Sequence, residues 1–478
     1  MSVMTIDEYE PDSLMWEINR KLANVSLQSG LHDEEDYLTV SSAAWALSNF
    51  AGESAPFREL LADNSALTAV SNALNDEFDY IYDEAERASY QSGHLRIVDP
   101  DVCADIKAMT WAISNMSRGG FRTAEHWAMY VSTFNVLSKY IVFEHKDLWI
   151  EACWGLSRIL YNMHDVSPFY EHAQISASLC AKLAQLLGDS EMSIVAPALR
   201  TVINLTSGPD ELSSRMLGST VVLRNITRLM QADVASSIRK DAFLVVSNFA
   251  ASNLDVVQKV LGCPGLMQCV LSHIRAFGNS FNERNKWKFP IEPRKAYHAQ
   301  EEWNITKECL WILCNVTTLA TDENICLLLS DYPTLPKLLS GLLYYIHVPH
   351  NVCIKAIDLI INLIARTNKL TDVLPALNPR PANPYVREFI DLGVRDVLPS
   401  LCEASEKWSM LYERCAVLSS MLVDVEEKEK DAAEQFGLMS SKYSTTGANK
   451  RRVLHGLEDG DVRFIENALN TVSISEKV

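Results

Sequence analysis

Tryptophan and asparagine recur four residues apart in this chain: Trp45 with Asn49, Trp111 with Asn115, and Trp311 with Asn315. In a helix that separation stacks each pair on one face. A tryptophan ring holds a lysine or arginine stem by apolar contact and by cation–π attraction worth about 0.5–2 kcal/mol. An asparagine amide offers a donor and an acceptor to an extended backbone. The chemistry open to such pairs is recognition of an extended basic peptide, with no bond broken. In AAWALSN, the residues Ala44, Leu47 and Ala51 form a separate apolar stripe. Trp45 is rotated about 100° from Ala44, which puts it at the edge of that stripe or outside it.

The segment around each pair repeats. AAWALSNFAGE (43–53), MTWAISNMSRG (109–119), ACWGLSRILY (152–161), ALRTVINLTSG (198–208), AFLVVSNFAAS (242–252), CLWILCNVTTL (309–319) and AIDLIINLIAR (356–366) align on an anchor residue. The anchors are Asn49, Asn115, Arg158, Asn204, Asn248, Asn315 and Asn362, separated by 66, 43, 46, 44, 67 and 47 residues. Four steps fall near the roughly 40–47-residue period of armadillo and HEAT repeats. The two long steps imply insertions, one near 75–93, acidic and aromatic, and one near 278–303, whose prolines predict loop. Between anchors the chain reads as amphipathic helices, and strand alternation is essentially absent. The expected fold is an all-α armadillo solenoid, a right-handed superhelix with the pairs aligned along its concave face. Residues 1–30 read as a partial repeat or cap, 31–425 as the array, and 426–478 as a charged linker followed by a short helix at DVRFIENALNTV.

The net charge of −18 repels nucleic acid and anionic membrane and attracts basic partners. No stretch approaches the roughly 18 apolar residues of a membrane span, and the acidic start is unlike a secretory or mitochondrial signal. A soluble intracellular protein is expected. Eleven cysteines with no C-x-x-C pair suggest neither a disulfide framework nor zinc, and read as small core residues. No phosphate loop, metal-ligand spacing or nucleophile–base arrangement is found, and His145, His164 and His172 read as ordinary helix histidines, so no enzyme and no cofactor is expected. A second reading of the pairs puts the tryptophans in the core and lets the asparagines cap or bridge helices. Recurrence in phase, beside the acidic balance, favours the ladder.

The motif A-x-W-x-L/I-S-N resembles the armadillo signature of the importin-α family, in order from about residue 40 to 370. The copies resemble that family's third to ninth repeats. The resemblance implies a nuclear import adaptor, present in cytoplasm and nucleus. Its early repeats would form a major site for basic localisation signals, and its later ones a minor site used by bipartite signals, whose two halves reinforce each other by linkage. Trp45, Asn49, Trp111 and Asn115 match major-site positions, and Glu53 stands where the family has the carboxylate that takes the key lysine. Glu151 and Trp154 match the acid and tryptophan of the fifth repeat, with Arg158 replacing a polar residue. Asn204, Asp241, Asn248, Glu308, Trp311, Asn315 and Asn362 match the minor site, where Leu244 replaces a tryptophan. Arg118 and Arg200 match arginines that interrupt the acidic field.

The chain departs from the family at its start. No basic importin-β-binding cluster precedes Arg20, and near Asn24 that arginine holds the tryptophan position. Either importin-β is not engaged in the usual manner or a segment is missing from the sequence. The last stretch faintly resembles the family's terminal repeat, where an export receptor docks. Lys450, Arg451 and Arg452 read as a solvated linker or as an internal pseudo-signal. The alternative function is an armadillo scaffold, or a regulator that holds cargo without importin-β.

Overall fold

The computed structural model describes residues 34–92, 100–118, 126–143, 145–163, 165–274, 280–282, 286–288, 300–344, 348–372, 383–404 and 409–422. The segments expected at 1–30 and 426–478, with Arg20, Asn24 and Lys450–Arg452, lie outside them. Two compact units divide between Val256 and Val257.

The first unit runs α1 (Glu34–Glu53), α2 (Ala55–Asp63), α3 (Ala66–Ser92), α4 (Pro100–Met116), α5 (Trp127–Val142), α6 (Lys146–Met163), α7 (Ser167–His172), α8 (Ala177–Leu186), α9 (Met192–Thr206), α10 (Asp210–Met216), α11 (Val222–Leu229) and α12 (Ser236–Ala251). The anchor-bearing helices α1, α4, α6, α9 and α12 pack side by side in one layer, each on the next. Behind them α3, α5, α8 and α11 form a second layer, and short helices join the two. Three repeats, α2–α4, α7–α9 and α10–α12, are thus three-helix armadillo units, and the repeat ending on α6 shows α5 and α6 among the described residues.

Core residues from both layers meet between them. Leu47, Ile113, Leu156, Val202 and Phe243 are fully buried, each contributing about 1.5–3 kcal/mol by leaving water. Phe134 packs edge-on against Phe169, with centroids 5.6 Å apart. Polar ties run between repeats: the Tyr140 hydroxyl donates to Leu74 O at 2.7 Å and the Thr201 hydroxyl to Cys153 O at 2.8 Å.

The second unit includes α13 (Leu254–Leu261, most of it), α14 (Leu266–Ser272), β1 (Ser280–Asn282), β2 (Lys286–Lys288), α15 (Gln300–Leu319), α16 (Asp322–Asp331), α17 (Leu335–Tyr344), α18 (His350–Asp372), α19 (Pro384–Asp391), α20 (Val394–Ala404) and α21 (410–422). The anchor-bearing α15 and α18 pack together as their counterparts do in the first unit. Local chemistry starts these helices: Thr321 Oγ1 accepts from Asn324 N, and Asn383 Oδ1 from Tyr385 N. Gly393 turns the chain at φ +80, where a Cβ would fall 2.5 Å from the Tyr344 hydroxyl. Among the described residues no single helix is long and apolar enough to cross a membrane.

The two insertions take different forms, and the second differs from expectation. Residues 75–92 belong to the unbroken α3, so the acidic stretch lengthens a helix. The expected 278–303 loop contains an antiparallel pair, Phe281 opposite Trp287, and residues from Gln300 onward already belong to α15. Ser-Phe-Asn and Lys-Trp-Lys alternate polar and aromatic residues, the period a short strand needs, and the prolines come only afterwards.

On α3, Glu77 carries an electrostatic load. Burial, then Asp105 and Asp76, push its carboxyl up to about 7, and its Oε1 meets no hydrogen-bond partner. In the unfolded chain the same group ionises near 4.5. A folded state that keeps the proton is favoured at low pH, and that contribution fades as pH rises from about 4.5 to about 7. Glu77→Gln should therefore raise the thermal midpoint at about pH 8 and barely change it at about pH 4, read by circular-dichroism melts.

Candidate functional site

Helix α1 displays the ladder most openly. Its stripe residues Ala44 and Leu47 are fully buried, whereas Trp45 is 60% exposed, and Asn49 and Glu53 are exposed with it. Trp111 on α4 and Trp154 on α6 are half-buried. In the second unit Trp311 on α15 is 38% exposed. These four tryptophans lie outside the core.

The asparagines do something further. On each of four helices the amide Nδ2 donates to the ladder helix before it. Asn115 donates to Ser48 Oγ at 2.8 Å and Ser48 O at 3.3 Å. Asn204 donates to Ser157 O at 2.7 Å and Ser157 Oγ at 3.1 Å. Asn248 reaches Ile203 O at 3.1 Å and Thr206 Oγ1 at 3.2 Å, and Asn362 reaches Thr317 Oγ1 at 3.4 Å. The asparagine is therefore a bridge between repeats. In Asn204, Asn248 and Asn362 the Oδ1 accepts no hydrogen bond from another described residue. Asn115 is 4% exposed and its Oδ1 is also engaged, accepting from Arg158 Nη1 at 3.3 Å. Arg158, the one anchor that is not asparagine, does the same bridging work through Ser114 Oγ at 2.6 Å. Ser48 and Ser157, the partners, were not singled out in the sequence, although the serine preceding the anchor in LSN and LSR marks them.

One register recurs in both units. In two places the side chain four residues before an anchor meets the side chain seven residues before the next anchor. Arg200 Nε lies 2.9 Å from Asp241 Oδ2 in this way, and Lys355 Nζ lies 3.7 Å from the centroid of the Trp311 ring. The same register assigns Glu151 to Trp111, Ala108 to Trp45 and Pro197 to Trp154.

Asp241 is 5% exposed and already paired with Arg200. Burial raises its carboxyl above the usual carboxylate range, against the pull of Arg200 and Lys240. Glu151 is also raised by burial, with Arg158 pulling it back. Arg158 itself is brought down to about 10 by burial and then by Arg118, opposed by Glu151. Glu308 is 8% exposed, with Lys307 at 3.7 Å, and Asn315 is half-buried. Among the described residues no group of histidine, cysteine and carboxylate side chains could hold a metal ion.

No protein-family model matches the chain. Importin subunit alpha-1a of Oryza sativa subsp. japonica is 24% identical over 242 residues, covering 46% of this chain and 44% of its own length. Importin subunit alpha-B of Dictyostelium discoideum is 31% identical over 103 residues, covering 22% of this chain and 19% of its own. The chain is an importin-α-like armadillo-repeat protein. It spans less than half the length of these importin-α relatives. Among solved structures, a designed armadillo repeat protein aligns over 60% of the chain and 99% of its own length, at 15% identity and TM-score 0.44.

The ladder helices thus divide their labour: tryptophans lie outside the core, and asparagines tie repeats together. Asn115→Ala would strand the Ser48 carbonyl and leave Arg158 short of an acceptor in a buried setting. It should lower unfolding free energy by about 1–3 kcal/mol, read by denaturant titration. An unchanged midpoint would remove the bridge from the account.

Proposed function

We propose that the first unit binds extended lysine- and arginine-rich peptides, and that the chain serves as an adaptor for importing proteins bearing basic nuclear localisation signals. It would work in cytoplasm and nucleus alongside an importin-β carrier and an export receptor, without catalysis. The observation that carries this reading is the exposure of Trp45, 60% on a helix whose Ala44, Leu47 and Ala51 are fully buried. Trp111 and Trp154 follow on the next two ladder helices. An array of indole faces one repeat apart makes slots for aliphatic stems, and each ring attracts the cation at the tip by about 0.5–2 kcal/mol.

Carboxylates complete the slots. Glu151 sits at the register position facing Trp111, and Glu53 is exposed one turn beyond Asn49. The exposed Asn49 offers its amide to the peptide backbone. The net charge of −18 adds long-range attraction for a basic chain. Two arginines oppose it locally: Arg118 is exposed, and Arg158 sits against Asn115. They favour a ligand whose positive charges fall over the tryptophans rather than between Asn115 and Arg158. The remaining ladder positions, Asn204, Asp241 and Asn248 in the first unit and Glu308, Trp311, Asn315 and Asn362 in the second, are poorer in this reading, because several of their groups already have partners.

The test is a fluorescence-anisotropy titration of a monopartite basic peptide at physiological salt. The chain should bind at about micromolar Kd or tighter, equivalent to about −8 kcal/mol, and the Trp45→Ala/Trp111→Ala variant should lose at least about tenfold. Binding that survives those changes would mean a nonspecific acidic surface and would end this reading.

A further inference from the structure

In the second unit, the Trp311 ring is already covered by a cation of the same chain. Lys355, from the adjacent ladder helix α18, sets its ammonium 3.7 Å from the ring centroid. The ammonium is anchored there, 3.0 Å from Asp358 Oδ2 one turn along. Asp358 is held in turn, its Oδ1 lying 2.7 Å from Nε of Arg414 on α21. The Lys355 and Asp358 side chains are only 20% and 19% exposed, so solvent screens the pair weakly. Arg414, Asp358, Lys355 and Trp311 form one connected chain of contacts that ends on an indole face.

The substitution pattern matches. On α15 a carboxylate, Glu308, stands seven residues before the anchor Asn315, and Trp311 stands four before it. On α18 those positions hold Lys355 and Asp358, before the anchor Asn362. The position that carries an acid at Glu151, Asp241 and Glu308 therefore carries a lysine here, and the tryptophan position carries the acid that restrains it. By the register rule the lysine is delivered onto the preceding tryptophan.

We propose that Lys355 is an intrinsic occupant of the Trp311 slot, taking the place of a ligand's lysine or arginine, so that the second unit refuses the basic side chains the first unit accepts. This rests on the reading of exposed tryptophan faces as cation slots. An incoming cation must displace a tethered one held at high effective concentration. The displaced ammonium stays nearby and repels the newcomer. By the same register the residues assigned to Trp45, Trp111 and Trp154 are Ala108, Glu151 and Pro197, none of them a cation, so no such competitor stands at those positions.

The experiment uses the full chain carrying Trp45→Ala, Trp111→Ala and Trp154→Ala as parent, with a fluorescent octapeptide of alternating lysine and arginine as probe. Lys355→Ala in that parent should tighten binding at least about tenfold, and Trp311→Ala added to it should abolish the gain. Lys355→Gln, which removes only the charge and keeps most of the stem, should shift affinity in the same direction and serves if the alanine variant fails to fold. No gain in a folded variant, or a gain that survives Trp311→Ala, overturns the proposal. The first unit's peptide reading is judged separately, by whether the unmodified chain binds the probe and loses it on Trp45→Ala/Trp111→Ala, so either idea can fail alone.

Discussion

The rest of the site depends on the hydrogen bonds by which one ladder helix holds the next. A buried amide that loses its partner costs about 1–3 kcal/mol, so Asn115 donating into Ser48, and Asn204 into Ser157, resist any slip between repeats. With the register held, the side chain four residues before one anchor can meet the side chain seven before the next. Each slot is then a two-residue choice: Arg200 with Asp241 closes on itself, Trp311 with Lys355 is filled from within, and the same register pairs Trp111 with Glu151. The same scaffold can thus present open and closed slots without any change of backbone.

This division bears on affinity. Open slots gain from each cation they take, whereas a self-paired slot must first give up an interaction of the same kind. A cation–π contact is worth about 0.5–2 kcal/mol whether the cation is tethered or free, and the tethered one has already lost much of its entropy. Selectivity along the ladder can therefore come from internal competitors as much as from missing tryptophans. On the proposed reading Leu244, which stands at a tryptophan position, would weaken a slot by absence, and Lys355 would weaken one by presence.

Much of this was legible in the sequence, because period and phase are properties of residue order. The repeat spacing announced stacked three-helix units, and the offset of Trp45 from the stripe of Ala44 and Leu47 placed it outside the core, where the structure has it. The asparagines were harder. A residue that can bridge repeats and can also bind a peptide offers the same letter for both, and only the distances to Ser48, Ser157, Ile203 and Thr317 show the Nδ2 groups already committed. Lys355 was visible as a lysine, but its meaning needed the register between α15 and α18. The loop expected at 278–303 was misread for a local reason, since three-residue strands are too short for a periodic signal; the acidic, aromatic run after Asn75 did not reveal whether it extends the helix it follows.

The central claim is that tryptophan faces in the first unit are open to a ligand's cations while Trp311 is occupied by the chain's own lysine. Fluorine NMR of the fluorotryptophan-labelled chain, with each resonance assigned by single substitution, reads those rings one at a time as a basic peptide is added. The account predicts that the Trp45, Trp111 and Trp154 resonances shift together and saturate while Trp311 stays in place. Movement of Trp311 at the same peptide concentrations, or stillness of the other three while the peptide binds, would contradict it.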